Sequence, residues 1–205
     1  MLGKKFFERP TEKVAKDLLG KFLVRRINQR EIVLMITEVE AYDGFNDKAS
    51  HASRGKTKRN EPMFGEAGRW YVYFTYGMHW MLNIVTRERD YPAAVLIRAV
   101  SAIDSSGELK AVLSGPARQN FYKSKNLDGP AKLTKFLRIN KKLNGLVATR
   151  KSGLWLEDRN RIKNSYFIKA AKGVHELRIK RGARVGVGYA GLYWARRKWR
   201  FYIAK

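Results

Sequence analysis

Five strand-like runs occur before any second helix signal, at residues 22–27, 31–42, 70–76, 82–86 and 94–100. They are rich in aliphatic and aromatic side chains and are bounded by glycine, proline or polar clusters. A doubly wound fold needs helices alternating regularly with its strands, and that alternation is missing here. One helix precedes the runs. Thr11 is placed to cap a segment with Val14, Ala15, Leu18 and Leu19 on one face, and Gly20 closes it. A second helix is expected to begin at Pro130, with Leu133, Phe136 and Leu137 facing inward. Further short strands are expected at 154–156, 166–170, 183–188 and 199–203, whereas 101–129 shows no single period. The expected fold class is α+β: a single mixed domain over residues 1–205. Its curved, mostly antiparallel sheet is open-barrel-like and flanked by helices.

A chain of 205 residues with 44% hydrophobic content and 25 aromatic residues can bury a sizeable core. Cysteine is absent, which removes disulfides, thiolate zinc sites and a cysteine nucleophile together. No apolar run approaches the roughly 20 residues that span a bilayer. The opening Met1–Pro10 lacks the apolar core of a secretory signal. The expectation is a cytoplasmic protein, nucleoid-associated if bacterial, with no membrane partner. Forty-three Lys and Arg against 18 Asp and Glu give +25. Such an excess repels itself and attracts polyanions, of which nucleic acid comes first and an anionic membrane surface second.

Against that background, Glu38, Glu40, Asp43 and Asp47 form an acidic island within ten positions. Strand alternation puts Ile36, Glu38, Glu40 and Tyr42 on one face. Two carboxylates beside a phenol can be tuned for acid/base work, because burial raises a carboxylate pKa and nearby cations lower it. The same pattern also describes an exposed strand face salt-bridged to neighbours such as Arg25 and Arg26. The residues alone leave both readings open. A hard-cation set of Glu38, Glu40, Asp47 and His51 is a weaker third reading, since its spacing matches no closed ligand set.

The run Trp70–Trp80 carries five aromatic residues through Tyr76. Trp70, Phe74 and Trp80 are expected in the core. Tyr76, beside Gly77, is placed to project outward, where an aromatic can stack on a base or wedge into a duplex. Positive charge is densest in Arg54–Arg59 and between Arg178 and Arg200. Gly186, Gly188 and Gly191 fit G-x-G-x-x-G, but the chain ends 14 residues later, with no room for a dinucleotide-binding unit. These glycines are expected to permit close backbone approach, to another strand or to a substrate.

Taken in order, several segments resemble the alkyladenine (3-methyladenine) DNA glycosylase family, the type found in mammals and many bacteria. They are Phe7–Pro10, Leu18–Arg25, Thr37–Tyr42, His51, Arg59–Asn60 with Met63–Phe64, and Tyr71–Tyr73 through Tyr76–Met78 to Leu82–Asn83. Val95–Ala99, Gly129–Leu133 and Arg184–Gly188 complete the series. The resemblance covers nearly the whole chain and is weakest over 101–128 and 141–180.

It implies a monofunctional base-excision enzyme that flips a damaged purine out of duplex DNA. In that family pattern Glu40 is the general base activating a water toward C1′. Arg98 and the backbone carbonyl of Val185 help hold the water. Tyr42, His51 and Tyr73 line the base pocket, and His51 also offers its backbone N–H. Asn83 excludes the exocyclic amino group of guanine, and Tyr76 fills the gap in the duplex. The implied substrates are 3-methyladenine, 7-methylguanine, hypoxanthine or ethenoadenine.

General chemistry supports this scheme. Alkylation at N3 or N7 makes the base cationic and a good leaving group, so one base, one water and an aromatic cage suffice. No lysine nucleophile and no cofactor or metal is required. The expected partner is double-stranded DNA containing damaged purines, met by a monomer. Two alternatives remain: a metal-dependent nuclease and a non-enzymatic nucleic-acid-binding module.

Overall fold

The computed structural model describes residues 1–101, 127–158 and 178–204. Two short helices, α1 (Lys4–Phe7) and α2 (Thr11–Leu18), precede strands β1 (Phe22–Ile27), β2 (Arg30–Asp43), β3 (Trp70–Thr75), β4 (His79–Val85), β5 (Ala93–Ser101) and β6 (Leu127–Asp128). Helix α3 (Pro130–Phe136), strands β7 (Leu154–Glu157) and β8 (Ile179–Gly182), helix α4 (Leu192–Arg196) and strand β9 (Arg200–Ile203) follow. The expected strand at 166–170 and residues 102–126 of the unassigned stretch lie outside the described residues. No helix among the described residues is long and apolar enough to cross a membrane.

The described strands form a single antiparallel sheet that does not close on itself. Its order is β3-β4-β5-β2-β1-β7, with β6 on β5, β9 on β2 and β8 on β9. Strand β2 organises it because both its edges are used along its length. One edge pairs with β5, while the other pairs first with β1 (Arg30–Met35) and then with β9 (Glu38–Glu40). The α+β expectation holds.

A bulge in β2 decides which side chains reach the site. The register against β5 shifts between Ile36 and Glu38 and again between Glu38 and Val39. Up to the bulge the even positions Ile32, Leu34 and Ile36 enter the main core; beyond it the odd positions Val39 and Ala41 do. The paired irregularity, which leaves Thr37 of β2 and Arg98 of β5 out of the register, reverses the phase of alternation. Ile36 therefore does not share a face with Glu38, Glu40 and Tyr42, contrary to strict alternation. Without the shift, Glu40 would project into the hydrophobic core.

The helices largely follow their signals. In α2, Val14, Ala15 and Leu18 are buried against the sheet, but Thr11 is not its cap. Pro10 holds the cap position. The Thr11 hydroxyl instead donates to Asp43 Oδ1 at 2.8 Å and accepts from Thr86 at 3.0 Å, joining the helix to the end of β2. Helix α3 starts at Pro130 with Leu133 and Leu137 in the core and Phe136 packed beside them. Residues 183–188 are not a strand. Pairing with β9 ends at Gly182, and the chain turns inward at Arg184 and reverses through Gly186 at φ +75°.

Candidate active site

A groove of about 610 Å³ opens on the face of the sheet that carries Glu40, and Tyr42, His51, Tyr73, Arg98 and Val185 line it with that residue. Strand β2 supplies Glu40 and Tyr42, β3 supplies Tyr73, β5 supplies Arg98, and the turn after β8 supplies Val185. His51 opens a 3-10 turn over 51–54. Asn60 holds that loop, donating from Nδ2 to the carbonyls of His51 and Gly55, both at 2.9 Å. Asn83 sits in an adjoining chamber of about 40 Å³ behind the groove, with Tyr42, His51, Tyr71 and Tyr73 also on its walls. Its Nδ2 donates to the Tyr71 carbonyl at 3.0 Å. Seven of the eight residues singled out from sequence thus meet around one groove, and the eighth lies behind it.

Glu40 is fully buried. Its Oε1 accepts from the backbone N–H of Val185 at 2.7 Å and faces Arg98 Nη1 at 3.3 Å. Its Oε2 accepts from the Tyr42 hydroxyl at 2.8 Å. A carboxylate has about four acceptor positions. These three contacts leave one on Oε2 among the described residues. Burial raises the Glu40 pKa above the ordinary carboxylate range, while the Arg98 charge and the two hydrogen bonds pull back toward the ionised form. The contact from the Val185 segment is made by its N–H, whereas the family pattern directs attention to its carbonyl.

Glu38 takes different partners. Its Oε1 accepts from Arg98 Nε at 2.9 Å and from Arg200 Nη1 at 3.2 Å. Arg25 and Arg26, considered from sequence as partners of this strand face, are engaged elsewhere. Arg25 donates to the Leu137 and Gly153 carbonyls, and Arg26 pairs with Glu31. Glu38, Glu40, Asp47 and His51 do not assemble as a cation site, and no group of three potential ligands does so among the described residues.

Tyr42 connects Glu40 to a second buried centre. Arg184 and Asp47 form a fully buried pair bonded through both guanidinium arms, one of them Nη2 to Oδ1 at 2.8 Å. The Arg184 guanidinium also lies 4.8 Å from the centroid of the Tyr42 ring and donates to the Ala41 carbonyl at 2.9 Å. Burial and the Glu40 charge raise the Tyr42 pKa well above its ordinary value, so its hydroxyl stays a donor. Sequence reasoning missed this arginine. Among 43 cationic residues nothing marks one as buried. The available signal was Asp47, an acid that Arg184 neutralises across 137 positions.

His51 is pinned among aromatic rings. Its Nδ1 lies 2.8 Å from the Tyr71 hydroxyl, and its ring meets Tyr73 edge to face at 4.6 Å. Burial, with the Arg59 charge, lowers its pKa from 6.5 to about 4. Burial pushes the Tyr73 pKa up to about 12. At neutral pH these two rings are therefore uncharged. The unfolded chain binds the His51 proton more readily than the native state does, so acid is destabilising here. Melting temperature is expected to fall as pH drops from about 6.5 to 4, and His51→Gln should flatten that part of the profile.

Tyr76 stands at the groove rim, 81% exposed, in the turn between β3 and β4, with φ +52° followed by Gly77 at +65°. Trp70 is buried as expected and donates Nε1 to the Leu154 carbonyl, and Trp80 packs on the main core. Phe74 is not core: it is 44% exposed, with its ring against Trp80. The three glycines of the G-x-G-x-x-G match are also not sites where another strand comes close. A Cβ at Gly186, Gly188 or Gly191 would meet no atom within 4 Å. Positive φ at Gly186 and Gly191 is what calls for glycine there.

Comparison with known proteins identifies the family. Residues 5–205 match the methylpurine-DNA glycosylase family. A relative from Methanocella arvoryzae named "Putative 3-methyladenine DNA glycosylase" is 43% identical over 202 residues, covering 98% of this chain and 92% of the relative. Relatives with the same name from Clostridium perfringens and Legionella pneumophila are 39% and 38% identical. Each covers 98% of this chain, and 95% and 93% of the respective relative is matched. A match of this extent includes every segment that builds the groove, and the chain belongs to the methylpurine-DNA glycosylase family.

Proposed function

We propose that this protein is a monofunctional DNA glycosylase that flips alkylated or deaminated purines out of duplex DNA and hydrolyses the N-glycosidic bond. The observation that carries the reading is Glu40, a buried carboxylate at the wall of an open groove, with one acceptor position left on Oε2. A water bonded there would attack C1′ of the flipped nucleotide. Its oxygen forms the new C1′–O bond and its proton passes to Glu40. The C1′–N bond breaks, and its electron pair leaves with the base, most readily when alkylation has already made that base cationic. Partial retention of the Glu40 proton affinity by burial suits a general base, which needs both an ionised form and an avid one.

The remaining residues have matching roles. Arg98 and the Val185 backbone would orient Glu40 and the water, and Tyr42, His51 and Tyr73 would stack on the extruded ring. An uncharged, electron-rich wall favours a cationic base over a normal one. Asn83, in the chamber behind, would restrict what the ring can carry. Tyr76 would occupy the space the base vacates. Lys48, Arg54 and Arg59 on the groove would meet phosphates of double-stranded DNA, approached by a monomer. The names of the relatives support 3-methyladenine among the substrates.

The test is incubation with duplex oligonucleotides, each carrying 3-methyladenine, 7-methylguanine, hypoxanthine or ethenoadenine. Breakage is expected only after alkali, unchanged by EDTA. A strand nicked before alkali would overturn the monofunctional reading. Activity abolished by EDTA would point to a metal-dependent nuclease, and four unreacted lesions would reject a purine glycosylase.

A further inference from the structure

The family pattern uses Glu40 and Arg98, while Glu38, two positions away on the same face, is left without a role. Its position is highly constrained. It occupies the β2 bulge, paired with Ala99 of β5 on one edge and with Tyr202 of β9 on the other. Its Oε1 takes the Nε of Arg98 at 2.9 Å and Arg200 Nη1 at 3.2 Å, while Arg98 Nη1 reaches Glu40 Oε1 at 3.3 Å. Arg98 is therefore divided between two carboxylates, with its shorter contact to Glu38.

The division matters because of guanidinium geometry. An arginine facing a lone carboxylate tends to bind both oxygens in a fork. A forked Arg98 would take the last acceptor position on Glu40 Oε2, where the attacking water must bond. We propose that Glu38 is a positioning residue that anchors Arg98 through Nε, so that Arg98 offers Glu40 a single N–H and leaves Oε2 open to the water. This rests on the glycosylase reading above. Glu38 also sets the field at Glu40. Burial is the main cause that raises the Glu40 pKa, and the Glu38 charge adds to it, whereas Arg98, the Val185 N–H and Tyr42 act in the opposite direction. The other charged or titratable groups around the pair are Arg200 on β9, Arg184 with Asp47 behind Tyr42, and, on the groove, His51, Tyr73, Tyr76 and Tyr189 with the cations Lys48, Arg54 and Arg59.

The experiment is single-turnover release of 7-methylguanine from a duplex as a function of pH. That base leaves without protonation, so the acidic limb reports the general base. In Glu38→Gln the plateau rate should fall by about tenfold, short of the ~10²–10⁴-fold for losing a general base. Duplex affinity should hold, and the acidic limb should move to lower pH, because Glu40 loses a like charge and gains a freer arginine. Glu38→Asp should restore the limb toward its original position. An unmoved limb, or one moved upward, overturns the proposal. If Glu38→Gln does not fold, Arg200→Gln decides. It leaves the Glu38 charge less compensated and should move the limb upward, and a fixed limb there rejects the idea. Glu40→Gln run in parallel separates the two readings. Activity in that variant defeats the glycosylase mechanism itself, whereas an inactive Glu40→Gln beside an unshifted Glu38→Gln defeats only the role given to Glu38.

Discussion

Glu40→Gln is expected to reduce single-turnover base release by at least ~10²–10⁴-fold, the range that follows loss of a positioned general base. Binding to a lesion-containing duplex should persist, because Glu40 is buried at the groove wall and its side chain is not offered to phosphates. The same substitution should stabilise the protein. The fold raises the Glu40 pKa, so the native state holds this proton more tightly than the unfolded chain does. The associated stability is present at low pH and is lost as pH rises through the raised value. In the ionised form that a general base requires, Glu40 is a buried negative charge, which glutamine removes while retaining an acceptor for the Val185 N–H. Melting temperature at pH 7 should rise, by about 2–4 °C for each kcal/mol recovered. A variant that melts lower and still releases base would contradict both halves of this account.

The second large effect is on stability. Arg184→Met should destabilise by about 3–5 kcal/mol, because Asp47 would keep a buried charge without its counterion. Asp47→Leu should cost a similar amount for the reciprocal reason. Combining the two should recover much of that loss, since neither charge then remains. Activity should not return with stability. Arg184 also supports the Tyr42 ring and ties its turn to the Ala41 carbonyl, and the next residue of that turn donates to Glu40. Denaturant unfolding of both single variants and the double variant, with the excision assay alongside, separates packing from positioning. A double variant no more stable than either single one would refute the ion-pair explanation.

Much of the fold can be read from local signals because the signals are strong. The runs at 22–27, 94–100 and 154–156 lie within a residue of β1, β5 and β7, and the proline start of α3 lies where helix geometry favours it. Two of the three errors share one cause. Thr11 has an N-cap side chain, but Asp43 competes for its hydroxyl from 32 residues away. Residues 183–188 read as a strand, but Arg184 is drawn inward to Asp47 and pulls the chain off the sheet. Phe74 has the composition of core and shares a strand face with the buried Trp70 and Val72, but it stands near the end of β3, where burial fades. In the first two cases a partner distant in sequence outweighs a local preference.

The order of motifs was enough to place the chain in one enzyme family, because residue type and spacing along a chain survive without coordinates. What they could not supply was phase and partnership. A local irregularity between β2 and β5 reverses which side chains face the core, and no periodicity rule anticipates it. Likewise, residue type alone does not say which of 43 cations meets which acid. Packing alone singles out Arg98 to bridge Glu38 and Glu40, and Arg184 to neutralise Asp47, because pairing energy depends on distance and burial that exist only once the sheet has brought those strands together.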